Sequence, residues 1–399
     1  MGAVIDRGER IALMEPLVVG EGSAHRGRLT DRVLDLVAHA AAFRARLPVG
    51  VESALAGLVR SMNCYYSNLI EGHYTHPVAI ERALAGDYSP DSRQRDLQLE
   101  AAAHIQVQSW IDAGGLKGRE TAPEGLCELH RRFCERLPDD LLWVEDPDTG
   151  QHLRVSPGAY RTHDVRIGRH VPVSPGAVER FMQRFHAAYS RGGQADRMLG
   201  VACAHHRLLW IHPFLDGNGR VARLMSHAIL VEHLNSGGVW SVARGLARSE
   251  GRYKQLLAAC DEPRRGDRDG RGQLSEAALA DFVEFFLEVC IDQVAFMERL
   301  MEPGRFRERI LRWAEDRVRA DELPGRSGRL LEVVLYRGEV PRADVPGLLD
   351  LSERQARRVT SALVKQGVLA SDSSRAPLRL ALPAALAPEL MPGLFPPEG

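Results

Sequence analysis

The sequence predicts a mostly α-helical protein of more than one domain, and three observations carry that expectation. From about Leu29 to Leu300 the apolar residues recur mostly at helical spacing. A single stretch, Gly158 to Pro175, alternates as strands do. Beyond Gly325 a separate pattern of short helices ends in a strand-like segment. The length, 399 residues, also exceeds the size at which one hydrophobic core usually stops growing.

Each element has its own signal. A helical stretch through Leu55, Leu58, Met62, Tyr65 and Leu69 closes at Gly72, a natural residue to follow a helix end. LCELHRRF, Leu126 to Phe133, looks like an early core helix. In the alternating stretch Val165 and Ile167 precede Gly168, and Val171 and Val173 follow it, which predicts a short β-hairpin. Leu224, Met225, Ala228, Ile229 and Leu234 then mark a helix that stops at Gly237-Gly238. In the last unit, helices are expected around Leu330 to Tyr336 and Val345 to Leu349, and a third opens at Ser352, where Ser352 and Gln355 form a capping box. The SDSSRAP turn and the LRLAL strand after it resemble the wing of a winged helix-turn-helix.

Composition narrows the function classes. With 26% charged residues and a formal net charge of -1 the chain is no globally basic nucleic-acid coat, so any such contact must be local. The six cysteines are scattered without a CxxC pair, which argues against a zinc framework or a disulfide scaffold and for a reducing cytoplasm. The first residues lack a signal-peptide pattern, and no run approaches the roughly 20 apolar residues of a membrane span. The expectation is a soluble, cytoplasmic protein.

HPFLDGNGRVAR, His212 to Arg223, carries the chemistry. Its Gly-Asn-Gly turn feeds a helix N-terminus, whose unpaired N–H groups and dipole favour an anion. Gly217 and Gly219 let the backbone approach a phosphate, and Asn218 can add a side-chain donor. Arg220 and Arg223, at i and i+3, could clamp successive phosphates, which implies at least two of them. Asp216 is placed to hold a Mg²⁺ that bridges phosphate oxygens. His212 is the candidate general base, since an ordinary imidazole pKa of about 6.5 leaves it mostly neutral. Neither a Walker A loop nor GxGxxG occurs, and Asp267 to Glu276 has the wrong offsets for a calcium loop.

The stretch resembles the signature of the Fic family, H-x-F-x-[D/E]-G-N-G-R-x-x-R, at every specified position: His212, Phe214, Asp216, Gly217, Asn218, Gly219, Arg220 and Arg223. The similarity extends over roughly residues 50 to 300. The resemblance implies a protein adenylyltransferase that moves AMP from ATP to a Ser, Thr or Tyr hydroxyl, with Mg²⁺ on Asp216. His212 would be the base, the 217–219 loop and Arg220 would stabilise charge on the α- and β-phosphates, and Arg223 would take the γ-phosphate. Tyr253 joins these as a nucleotide contact, and Val165, Arg166 and Ile167 as the target-docking flap. Gly217 and Arg220 stand where the kinase-like branch carries Ala and Lys, which favours AMP transfer over phosphate transfer.

A second motif, SNLIEG, is similar to the inhibitory helix of the family through Ser67, Glu71 and Gly72. The resemblance implies that Glu71 pairs with Arg223 and occupies the γ-phosphate position. The expected division is then a helical region at 1–115 with the inhibitory helix at about 50–72, a Fic core at 116–302, and a winged helix with a Pro-rich tail at 303–399. In the last unit Ala356, Val359 and Leu363 share one helical face and leave Arg354, Arg357, Arg358 and Lys365 outward. Such a unit serves DNA binding, protein docking or homodimerisation, and all three stay open. Two other functions also stay open: a nucleotide-sensing DNA-binding regulator, and removal of AMP from a modified protein, with Glu71 aligning water.

Overall fold

The computed structural model describes residues 4–48, 50–146 and 149–396 and is built chiefly of helices. α1 (Arg26–Arg46), α2 (Val51–Ile70), α3 (Pro77–Leu84), α4 (Ser92–Asp112) and α5 (Pro123–Cys134) lead to a hairpin of β1 (Trp143–Glu145) and β2 (His152–Arg154). Next come α6 (Val178–Tyr189), α7 (Gln194–Ile211), α8 (Asn218–Leu234), α9 (Val242–Arg248), α10 (Glu250–Ala259), α11 (Glu276–Leu300) and α12 (Pro303–Arg319). The remainder is α13 (Ser327–Arg337), β3 (Glu339–Val340), α14 (Val345–Leu349), α15 (Glu353–Lys365), β4 (Leu369–Ala370), β5 (Leu378–Leu380) and α16 (Ala387–Leu390).

Two helices form the axis of the molecule. α7 and α8 pack along each other, and nearly every side chain from Met198 to Ile211 and from Arg220 to Leu230 is buried. A helix buried on all sides needs cover on all sides. α1, α6 and α11 cover α7, while α2, α4, α5 and α9 cover α8. α2 is itself buried along most of its length between α4 and α9. It stops because Gly72 turns left-handed at φ 82°, which lets the His73 N–H donate to the Asn68 carbonyl at 2.9 Å. Among the described residues no helix is long and apolar enough to cross a membrane.

The C-terminal elements make a small unit with a three-stranded antiparallel sheet in the order β3-β5-β4. β5 pairs Leu378 with Val340 and Leu380 with Leu369, and its apolar side chains face inward with those of α13 and α15. The capping box expected at Ser352 is present, its hydroxyl accepting from the Gln355 N–H.

The predicted hairpin over 158–175 is where the structure departs from the periodicity. It contracts to one antiparallel bridge, Ile167 with His170, and the regular hairpin lies upstream as β1 and β2. The reason is competition for backbone groups. The buried Arg161 guanidinium donates to the carbonyls of His163, Val173, Ile211 and His212, so the Val173 carbonyl is already taken. The Ser174 N–H donates to Glu9 Oε1 at 2.8 Å, and the Arg7 N–H reaches Ser174 Oγ at 3.0 Å. One arginine and the N-terminal segment thus do what a partner strand would have done.

Arg161→Ala should therefore leave several buried carbonyls without donors and lower the unfolding free energy by about 2–4 kcal/mol. Urea denaturation of the variant beside wild type measures this. An unchanged midpoint would show that water replaces the guanidinium without loss.

Candidate active site

Between the two axial helices the chain turns back through residues 212–217. α7 ends at His212, which holds a left-handed conformation at φ 51°, uncommon for a residue with a Cβ. α8 begins after Gly217, left-handed at φ 80°. Asn218 closes the turn: its Oδ1 accepts from the Phe214 N–H at 3.0 Å, and its Nδ2 donates to the Phe214 carbonyl at 2.8 Å. The side chain expected to reach a phosphate instead fastens the loop, because these buried backbone groups need a partner.

Phe214 is fully buried and stacks on His130 of α5, with centroids 4.0 Å apart and planes 3° apart. His130 also fixes the loop backbone. Its Nδ1 accepts from the Gly158 N–H at 2.9 Å, so Nε2 carries the proton and donates to the Asp216 carbonyl at 3.2 Å. For His212 the same logic gives the opposite tautomer. Its Nδ1 lies 3.3 Å from the Leu209 carbonyl and must donate there, which leaves Nε2 bare as a proton acceptor. Burial pushes the His212 pKa down to about 4, so the ring is neutral near pH 7.

The two arginines have different surroundings. Arg223 is 2% exposed; its Nε donates to Ser67 Oγ at 2.8 Å, and a terminal nitrogen donates to the Ser67 carbonyl at 3.1 Å and to Glu71 Oε1 at 2.5 Å. The Glu71 side chain is one-third exposed at the mouth. Burial opposes its ionisation, but the Arg223 and Arg220 charges hold its carboxyl below the ordinary value. Gly219 permits this approach, since a Cβ there would lie 2.3 Å from Glu71 Oε1. Arg220 lies beneath the loop over the Phe133 ring, paired with Glu100 of α4 and, at 2.8 Å, with Asp216. Glu100 is buried and also takes His73 Nδ1 at 2.7 Å.

Glu71, His212, Gly219, Arg223 and Tyr253 line one cleft of about 900 Å³, with Ile167 and Lys254 at its edges. Tyr253 is nearly fully buried; its hydroxyl donates to His205 Nε2 at 2.7 Å, because His205 Nδ1 must donate to Ser226 Oγ, whose own proton goes to the Ala222 carbonyl. Val165, Arg166 and Ile167 line a smaller groove of about 150 Å³ with Val144, Leu153 and His212. The turn and the β1–β2 hairpin therefore flank a groove that reaches His212. Asp216, with a side chain 45% exposed, offers one carboxylate toward solvent while Arg220 holds its other side. That donor suits a Mg²⁺ ion that takes its other ligands from phosphate oxygens and water.

Sequence reasoning missed His130, Glu100 and Arg161. His130 sits in LCELHRRF, which offered only helical periodicity, and its stack on Phe214 spans 84 positions. Glu100 precedes Ala101–Ala103, a small-residue run that marks close packing, and an acid in such company was the available signal.

Burial lowers the pKa of six imidazoles: His104 and His205 to about 3, His130, His206 and His212 to about 4, and His233 also below its ordinary value. Their folded values lie below the unfolded value of about 6.5, so the unfolded chain takes up protons first as pH falls. Stability should be full above pH ~6.5 and fall toward pH ~4, by up to on the order of 1 kcal/mol per unit for each ring. Urea midpoints at several pH values across this window test it, and a flat profile would contradict the burial argument.

Residues 120–230 match the Fic/DOC family model. The chain is similar to protein adenylyltransferase Fic of Drosophila grimshawi, 31% identical over 170 residues that cover 42% of this chain and 32% of the relative. It is 30% identical to the Drosophila willistoni protein of the same name over 225 residues, covering 53% of this chain and 42% of the relative. The chain thus spans 32% and 42% of the length of these two curated relatives. Among solved structures, a Fic family protein from Desulfovibrio desulfuricans G20 shares the fold at a TM-score of 0.51 and 18% identity, over 88% of this chain and 96% of that one. The matched segment holds the His130 brace, the 212–217 turn and both arginines, and on this ground the chain carries a Fic/DOC family domain at residues 120–230.

Proposed function

We propose that this protein transfers AMP from ATP to a side-chain hydroxyl of a Ser, Thr or Tyr in a protein, and that Glu71 restrains the reaction. One observation carries the reading: a neutral imidazole and a buried arginine held by a carboxylate face one cleft beside a helix N-terminus. The names of the curated relatives support it.

In this reading the triphosphate lies over the N-terminus of α8, whose free N–H groups accept negative charge. The target hydroxyl enters along the groove between β1–β2 and the 165–167 turn. Its oxygen bonds to the α-phosphorus as the bond from that phosphorus to the bridging oxygen breaks, and pyrophosphate leaves. His212 Nε2 takes the hydroxyl proton, and the bond from Nδ1 to Leu209 keeps the ring aimed. Mg²⁺ held by Asp216 would neutralise phosphate charge. Arg220, locked between Glu100 and Asp216, orients that carboxylate from below. Arg223 is the γ-phosphate ligand, and while Glu71 holds it the triphosphate cannot settle with its α-phosphorus in line.

His212→Ala should lower AMP transfer about 10²–10⁴-fold while ATP binding is nearly retained. Isotope transfer from α-labelled ATP and calorimetry measure the two quantities, and transfer at the wild-type rate would remove His212 from the mechanism.

Glu71→Gly should raise self-modification, read by intact mass under saturating ATP and Mg²⁺. Arg223→Ala should not raise it, and the double variant should stay below Glu71→Gly alone, because the freed arginine is the group that acts. Equal rates for wild type and Glu71→Gly would refute the restraint. Release of AMP from a modified protein, lost in Glu71→Gly, would instead assign Glu71 to positioning water.

A further inference from the structure

We propose that the outward face of α15 binds duplex DNA, a function separate from the cleft. Arg354, Arg358, Ser361 and Lys365 lie in line on the exposed side of this helix, with Arg357 beside them, while Ala356, Val359, Thr360 and Leu363 are buried beneath. Arg357 is partly occupied by Glu353 at 3.0 Å. Arg375, in the turn between β4 and β5, is also exposed. Charge distinguishes this unit from the rest of the chain. Over residues 325–382 ten Lys and Arg face six Asp and Glu, whereas the whole chain has net charge -1. A 13-residue helix, backed by α13 and α14 and flanked by the turn that carries Arg375, is the shape and charge that a major groove and its phosphates accept.

The intact protein should bind a mixed-sequence duplex at 50 mM salt and lose about 10²-fold in affinity by 200 mM if four cations meet phosphates. Replacing Arg354, Arg358 and Lys365 together by Ala should flatten that slope by about 2 to 3. Fluorescence anisotropy reads both. The proposal falls if wild type shows no duplex binding at 50 mM salt, if the triple variant keeps the wild-type slope, or if heparin and duplex bind equally and the substitutions weaken neither.

An independent set of contacts, around Gly393 to Phe395, lies on α2. From these we infer that the segment after α16 is a strap that holds the Glu71 helix in its restraining position, an inference that rests on the proposed role of Glu71. Leu394 is fully buried, and its carbonyl accepts the Tyr66 hydroxyl at 3.0 Å. Phe395 meets Tyr65 edge to face at 5.9 Å. The Gly393 carbonyl accepts from the buried Arg244 at 2.8 Å, and that guanidinium lies 3.6 Å above the Phe296 ring of α11. Tyr65 and Tyr66 directly precede Ser67, whose hydroxyl and carbonyl hold Arg223. The strap therefore grips α2 one residue from the contact that closes the cleft.

Deleting residues 392–399 should speed self-modification toward the Glu71→Gly rate, and Tyr66→Phe, which removes one hydroxyl, should do so in part. Neither change should add to Glu71→Gly. Amide exchange at residues 68–73 should quicken in the deletion variant, and this readout does not depend on catalysis. Unchanged exchange would overturn the strap, as would a wild-type rate in the deletion variant while Glu71→Gly is fast. A silent Glu71→Gly with quickened exchange would instead retire the role of Glu71 and leave the grip on α2 standing.

Discussion

The buried charge of Arg223 is the constraint on which the site depends. A guanidinium that is 2% exposed must find partners, since an unpaired buried charge costs far more than a hydrogen bond returns. Its partners come from one turn of α2, Ser67 and Glu71, so α2 has to lie against α8. The close approach leaves no room for a side chain at position 219. Any group that displaces Glu71 must bring negative charge of its own, or the guanidinium is left buried without a counter-charge.

Around that contact the loop is rigid through neutral groups. Asn218 closes it through the backbone of Phe214, and His130 stacks on that ring while donating to the Asp216 carbonyl. The burial that makes these braces firm also keeps the imidazoles uncharged, His130 and His212 alike. One rests in a closed network as a structural ring, and the other keeps a bare Nε2 toward a cleft. The same physical cause thus leaves one histidine neutral inside a closed network and the next neutral beside a cleft.

A second level of organisation joins distant segments. Arg161 gathers carbonyls from the 158–175 segment and from the end of α7, so that segment is fixed relative to His212. Glu100 ties Arg220 to His73, next to the end of α2. The 212–217 turn, the end of α2 and the 158–175 segment are therefore tied together through buried contacts.

The sequence by itself determined the mostly helical class, the 212–223 motif, the stop at Gly72 and the capped start of α15, because each is written in neighbouring residues through periodicity, glycine placement or a capping pair. The family resemblance of Ser67, Glu71 and Gly72 also implied that Glu71 pairs with Arg223, whereas the bonds from Arg223 to Ser67 came only from the structure. Only the tertiary structure decided that Arg220 turns inward to Glu100, that Asn218 serves the loop, and that the strands of a hairpin lie at 143–154 while 158–175 keeps a single bridge. Those outcomes depend on which buried donor reaches which carbonyl or carboxylate first. Partners 120 positions apart, or 51 as for Arg161 and His212, leave no trace in local pattern.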